Sequence, residues 1–123
     1  MVAWRTLSVM TTSAPRVLVV QAHPDPGSFH AALASAYAAG ASTAAAVEQL
    51  SLADLHFDPV RRGGFQHPQE LEPDLLRVRA AIEAADHVTW VFPTWWAGPP
   101  AQLKGLVDRA FTPGWAFRYE KGQ

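Results

Sequence analysis

A chain of 123 residues, 49% of them hydrophobic and 17% charged, has the make-up of one globular domain, long enough to bury roughly two-thirds of the surface its unfolded form exposes. Its net charge of -1 gives no electrostatic reason to expect nucleic acid or an anionic membrane as partner, and no basic stripe interleaved with aromatics is present. The lack of any cysteine excludes disulfides, thiolate metal sites and cysteine nucleophiles, and together with the lack of a spanning segment it suits a cytoplasmic location.

Met1 to Pro15 carry Arg5 as their one charge and no sustained apolar stretch, so they fail as a signal peptide. This segment, 1–15, reads as an N-terminal tail ahead of a domain over 16–123. Met10 offers a second start, which would make Met1 to Val9 a loose tail or the product of a mis-set start codon.

Val17-Leu18-Val19-Val20-Gln21-Ala22 is a continuous apolar run, which indicates a strand covered on both faces, as in a parallel sheet. After His23-Pro24-Asp25-Pro26-Gly27, Ser28 stands at the N-cap of a helix from about Phe29 to Ala39, with Phe29, Leu33 and Tyr37 on one face and Gly40 as the stop. Ala44 to Leu50 is a weaker strand, alanine-rich and broken by Glu48 and Gln49, supported more by element order than by composition. Leu52 to Gly64 reads as a loop that Gln66 to Pro73 continues. A helix from about Pro73 to Ala85 opens on proline and carries Leu75, Val78 and Ile82 on one face.

His87 to Phe92 is the third strand. It leads into Pro93-Thr94-Trp95-Trp96-Ala97-Gly98-Pro99-Pro100, then a helix in which Leu103, Leu106, Val107, Ala110 and Phe111 fall at helical spacing. Alternation of strand and helix implies right-handed crossovers and an α/β fold: a parallel sheet with helices on both faces. In the flavodoxin-like strand order, strands one and three are neighbours at the switch point, so the loops after Ala22 and Phe92 face one crevice, where ligands bind in such sheets.

Those loops offer different chemistry. The first has a helix amino end, Ser28, and the imidazoles of His23 and His30; free N–H groups and the helix dipole there suit a phosphate, the plainer reading being a capped helix with exposed histidines. The second has aromatic area and backbone amides but no obvious acid, base or nucleophile; Trp95 and Trp96 fit either a flat platform or a core or dimer contact. A phosphate seat beside a platform, with little reactive side-chain chemistry, points to a bound cofactor, and a flavin fits that division. His56, His67 and His87 read as surface or packing residues, Arg61-Arg62 beside Gly63-Gly64 as a solvated turn, and Asp108 with Arg109 as the polar face of the last helix.

Two stretches carry a family resemblance. Val17 to Tyr37, with Ala22-His23-Pro24 and Ser28-Phe29, resembles the first strand, loop and helix of the flavodoxin-like NAD(P)H:quinone oxidoreductases. Asp86 to Tyr119 resembles that family's Phe-Pro-x-x-Trp-x-x-x-Pro-x-x-Leu-Lys-Gly-x-x-Asp-Arg-x-Phe region, followed by Gly114-Trp115-Ala116-Phe117, and Leu52 to Val60 matches more loosely. The resemblance implies FMN or FAD in the crevice, two-electron hydride transfer from NAD(P)H, and onward transfer to a quinone or similar acceptor. It places His23, Ser28, Phe29 and His30 around the flavin phosphate and ribityl chain, His30 standing where relatives often have Asn. Pro93, Thr94, Trp95 and Trp96 match the loop along the isoalloxazine. Phe117 and Tyr119 match aromatics of the acceptor pocket, often reaching over from a second subunit of a homodimer.

The family continues beyond the point matching Gln123 with another strand, a Thr-Gly-Gly type loop and further helices. The expectation is therefore an incomplete sheet of about three strands, a truncated product or fragment with weak flavin affinity unless a second chain completes it, and an open third strand. Some relatives act as ancillary partners of potassium efflux transporters, which leaves a non-catalytic subunit, or an inactive fragment, as an alternative. Ala22-His23-Pro24-Asp25 is also similar to the start of the Ala-His-Pro-Asp-Asp motif of zinc-dependent de-N-acetylases. Here Pro26 and Gly27 replace the second acid and no His-x-x-His exists, so no metal is expected.

Overall fold

A computed structural model describes residues 13–120; the readings of Met1 to Val9 as a tail and of Met10 as a start lie outside the described residues. Three parallel strands, β1 (Arg16–Gln21), β2 (Ala46–Ser51) and β3 (His87–Val91), form a sheet in the order β2-β1-β3. This is the arrangement expected of the flavodoxin-like fold. Val17 stands opposite both Val47 and His87, and Gln21 opposite Ser51 and Val91, so the three carboxyl ends are level. Among the described residues β3 pairs with β1 on one side only.

The central position of β1 explains why Val17 to Val20 are all apolar. Leu18, Val20 and Ala22 face one core with Leu75, Val78, Leu103 and Leu106, while Val17 and Val19 face another with Ala34, Ala38 and Val91. Helix α1 (Phe29–Ala41) covers the second face, α2 (Pro73–Ala84) and α3 (Ala101–Ala110) the first. Strand β2, at the edge, is half-wet, which is why Glu48 and Gln49 are tolerated there.

Two features of α1 differ from the expectation. Phe29, Leu33 and Tyr37 share a face, but all three are exposed; the small side chains of Ala34 and Ala38 lie against the sheet. A helix packed that closely on valines leaves no room for larger groups, so size rather than hydropathy selects the buried face. Gly40 does not end the helix. It runs one residue on, and Ser42 caps it, donating both its N–H (2.9 Å) and its hydroxyl (2.8 Å) to the carbonyl of Ala38.

The segment between β2 and α2 forms a belt rather than a free loop. After a short 3-10 turn, Leu52–Asp54, it crosses α3 at Gly105. A Cβ on Gly105 would come within 2.7 Å of the Pro59 Cα and 2.5 Å of its carbonyl oxygen, so only glycine permits the crossing. One turn further along α3, Arg109 corrects the reading of that residue as a solubilising charge: it is wholly buried. Its guanidinium pairs with Glu72 (2.9 Å) and donates to the carbonyls of Glu70 (2.8 Å) and Asp58. Asp108 does lie on the polar side, paired with Lys104.

Arg61 is likewise no solvated turn residue. It donates to the carbonyl of Asp108 (3.1 Å) and stacks over the Phe65 ring at 4.3 Å, whereas Arg62 is exposed and pairs with Asp58. His56, His67 and His87 are exposed. Among the described residues no helix is long and apolar enough to cross a membrane.

Candidate functional site

The turns that follow β1 and β3 meet at the carboxyl edge of the sheet. His23 and Trp95 are in edge-to-face contact, ring centroids 5.5 Å apart at 79°, and His30 stacks on His23 at 5.7 Å. Adjacency of β1 and β3 makes this possible, and the link from Ala22 N–H to the Val91 carbonyl (2.8 Å) carries it one residue past the strands.

Ser28 caps α1 as expected, its hydroxyl accepting from the N–H of Ala31 (3.2 Å). The Asp25 carboxylate accepts from Gly27 N–H (2.8 Å), and the Asp25 carbonyl accepts from Ser28 N–H (3.2 Å). Ala32 donates to the Ser28 carbonyl. Among the described residues the N–H groups of Phe29 and His30 find no acceptor, which leaves two donors at the positive end of the helix dipole. His23 Nδ1 accepts from Asp25 N–H (2.9 Å), so the neutral ring carries its proton on Nε2, a further donor. Phe29 is exposed and meets His30 edge-on at 5.8 Å.

The second turn is built unusually. Trp95 and Gly98 exchange backbone hydrogen bonds of 2.8 and 3.0 Å, and the two residues between them, Trp96 and Ala97, both have positive φ, 52° and 61°. Such a turn favours Asn and Gly at these places. Left-handed backbone costs about 1–2 kcal/mol for each residue with a Cβ. Strain of this kind survives where surrounding structure imposes it, and it clusters at ligand sites. Pro93 and Pro100, both buried, clamp the two ends, and Thr94 is exposed. As a result Trp96 is fully exposed and Trp95 nearly half so; neither indole belongs to the core.

Phe117 and Tyr119 stand apart from this crevice. They follow the far end of α3, whose ten residues span about 15 Å. Phe117 contacts Tyr119 edge-on at 5.6 Å and, on its other side, Phe65 at 6.4 Å. Sequence reasoning missed Phe65 because only the belt brings it there. The structure thus joins His23, Ser28, Phe29, His30 and the Pro93–Trp96 turn at one edge and leaves the other aromatic pair at the opposite end of α3.

The carboxyls that depart from ordinary behaviour lie in the belt. Burial alone would raise the Glu72 carboxyl, but the Arg109 guanidinium and the Asp58 N–H outweigh it and hold it below its usual value. The Val60 N–H does the same for Asp58, with Arg62 assisting. Among the described residues no three His, Cys, Asp or Glu side chains sit close enough to hold a metal ion.

A donor-rich helix end, an imidazole and a projecting indole form a set able to hold an anionic tail and a flat ring, so the residues present fit a flavin nucleotide. Comparison with known proteins agrees with the architecture. A family model described as flavodoxin-like fold matches residues 15–123. The chain is 32% identical over 134 residues to NAD(P)H dehydrogenase [quinone] 1 of Cavia porcellus, covering 85% of this chain and 46% of that protein. It is 30% identical to the glutathione-regulated potassium-efflux system ancillary protein KefF of Enterobacter sp. (strain 638), covering 82% of this chain and 49% of the relative. The structure of the NAD(P)H:quinone oxidoreductase from Methanothermobacter marburgensis superposes with a TM-score of 0.73 at 27% identity, over 87% of this chain and 58% of that one. The chain therefore spans about half the length of the curated relatives it matches. With a strand order, a crevice and a matched length that agree, this chain belongs to the flavodoxin-like fold family.

Proposed function

We propose that this chain carries the flavin-cradling portion of an NAD(P)H-dependent quinone oxidoreductase acting in the cytoplasm. The observation that carries the reading is the contact of His23 with Trp95: two turns with complementary chemistry, one rich in donors and one aromatic, share one edge of the sheet. In this reading the N–H groups of Phe29 and His30, with Ser28 and the Nε2–H of His23, bind the phosphate and ribityl chain of FMN or FAD. Pro93, Thr94, Trp95 and Trp96 flank the ring, and the strained turn fixes the direction in which the Trp96 side chain leaves the backbone. A flavin held there would supply the hydride chemistry between NAD(P)H and a quinone.

Phe117 and Tyr119 are assigned to the acceptor pocket of a partner subunit in a homodimer. Their place at the far end of α3 supports this, since they stand away from the crevice of their own chain. Reconstitution with FMN and with FAD tests the reading: saturable quenching of flavin fluorescence is expected, weakened about tenfold or more by Trp96→Ala, in line with the worth of one aromatic stacking contact. Protein that stays colourless with both flavins sinks it. The likeness to KefF favours a second reading, an ancillary subunit of a potassium efflux system, and co-purification with a membrane transporter without quinone turnover would select it.

A further inference from the structure

A hollow of about 310 Å³ lies between the belt and the end of α3, lined among others by Arg61, Phe65, Leu71, Arg79, Thr112 and Pro113. Both arginines are held from behind. Arg61 is fixed by the Asp108 carbonyl and the Phe65 ring; Arg79 donates through Nε (2.8 Å) and Nη2 (2.6 Å) to the Ala110 carbonyl, through Nη2 to the Thr112 hydroxyl (2.6 Å), and lies over Trp115 at 4.8 Å. Neither has a carboxylate within 4.0 Å among the described residues, where the ion pairs join Arg62 to Asp58, Arg77 to Asp74, Lys104 to Asp108 and Arg109 to Glu72. Glu83, whose charge acts on Arg79 through space, accepts from the Trp115 indole.

Capping the last carbonyls of α3 explains part of this arrangement, since cations suit a helix carboxyl end. It does not explain why two guanidinium groups with no carboxylate within 4.0 Å among the described residues line one cavity. An oxyanion is the ligand whose charge and acceptors answer two guanidinium groups on one cavity. The Phe65 ring, Leu71 and Pro113 give the same hollow an apolar wall.

We propose that this cavity binds a small oxyanion, a phosphate or a carboxylate, between Arg61 and Arg79, with the aromatic wall receiving whatever apolar body carries it. The site is separate from the α1 amino end and does not depend on flavin binding. It is tested by titrating the full chain with inorganic phosphate and with benzoate at constant ionic strength while following the Nε–H resonances of both arginines. Saturable shifts at both are expected, and the tighter of the two ligands identifies which oxyanion the cavity takes. Arg61→Gln should weaken binding about tenfold or more, as loss of a charged hydrogen-bond partner does. Pro68→Glu, which brings a carboxylate to the exposed edge of the hollow without touching the arginine hydrogen bonds, should abolish it while leaving the melting temperature near that of the parent, so the proposal survives a poorly folded Arg61 variant. Shifts that never saturate, or affinity unchanged in Pro68→Glu, overturn it.

Discussion

The crevice turns and the belt around α3 use polar groups in opposite ways. In the belt most polar groups are met from within, the Nε atoms of Arg61 and Arg109 excepted: one buried guanidinium gathers two main-chain carbonyls and a carboxylate, and Asp58, Glu72 and Gln69 accept from the amides that pass them. At the crevice, amides of Phe29 and His30 stay open, an indole stands in solvent, and two residues keep a left-handed backbone. Saturated polar networks rigidify; unsaturated ones recognise. The contrast separates the part of the molecule that maintains the fold from the part available to a ligand.

The contrast breaks most sharply at Arg109. Arg109→Ala removes one partner of a buried pair and orphans the Glu70 and Asp58 carbonyls, so a loss of about 3–5 kcal/mol is expected in urea unfolding. A loss below about 1 kcal/mol would show that the belt is held by packing alone. Gly105→Ala forces the Pro59 backbone away from α3 and should cost about 1–3 kcal/mol by the same measurement, as overpacking does.

Acid sharpens the same point. Because the Glu72 carboxyl is held below its usual value in the folded chain, the unfolded chain takes up the proton first. Its contribution is complete above that value and is lost as pH falls below it toward the folded value. Melting temperature plotted against pH should drop there, and Glu72→Gln should flatten that part of the curve.

Substitutions at the crevice should run the other way. Ala97→Gly relieves one left-handed residue and is expected to stabilise by about 1 kcal/mol in urea unfolding while loosening the backbone that carries Trp96. Trp96→Ala, whose side chain is fully exposed, should change stability by less than about 0.5 kcal/mol, its effect appearing in flavin titration instead. A large unfolding effect at Trp96 would mean that the turn is structural and the division between the two regions false.

Much of this was readable in one dimension. The apolar run of Val17 to Ala22, the Ser28 cap, Pro73 at a helix start and the Pro93–Pro100 turn are local signals, in which neighbours in sequence set the outcome, and each element stands where it was expected. A glycine inside α3 one turn before Arg109, on the same face, was a readable sign of close approach by another segment, yet nothing local named Pro59, Glu70 or Glu72 as what approaches.

Periodicity and punctuation along the chain determined the strands, the helices and the pairing of the two crevice turns, since those depend on residues a few places apart and on one topological rule. Tertiary structure alone decided which side of α1 packs, that Arg109 is buried, and that Arg61 and Phe65 join the far end of α3. The reason is physical: burial of a charge or an aromatic ring depends on partners tens of residues away, and a sequence pattern reports the period of an element but not what covers it.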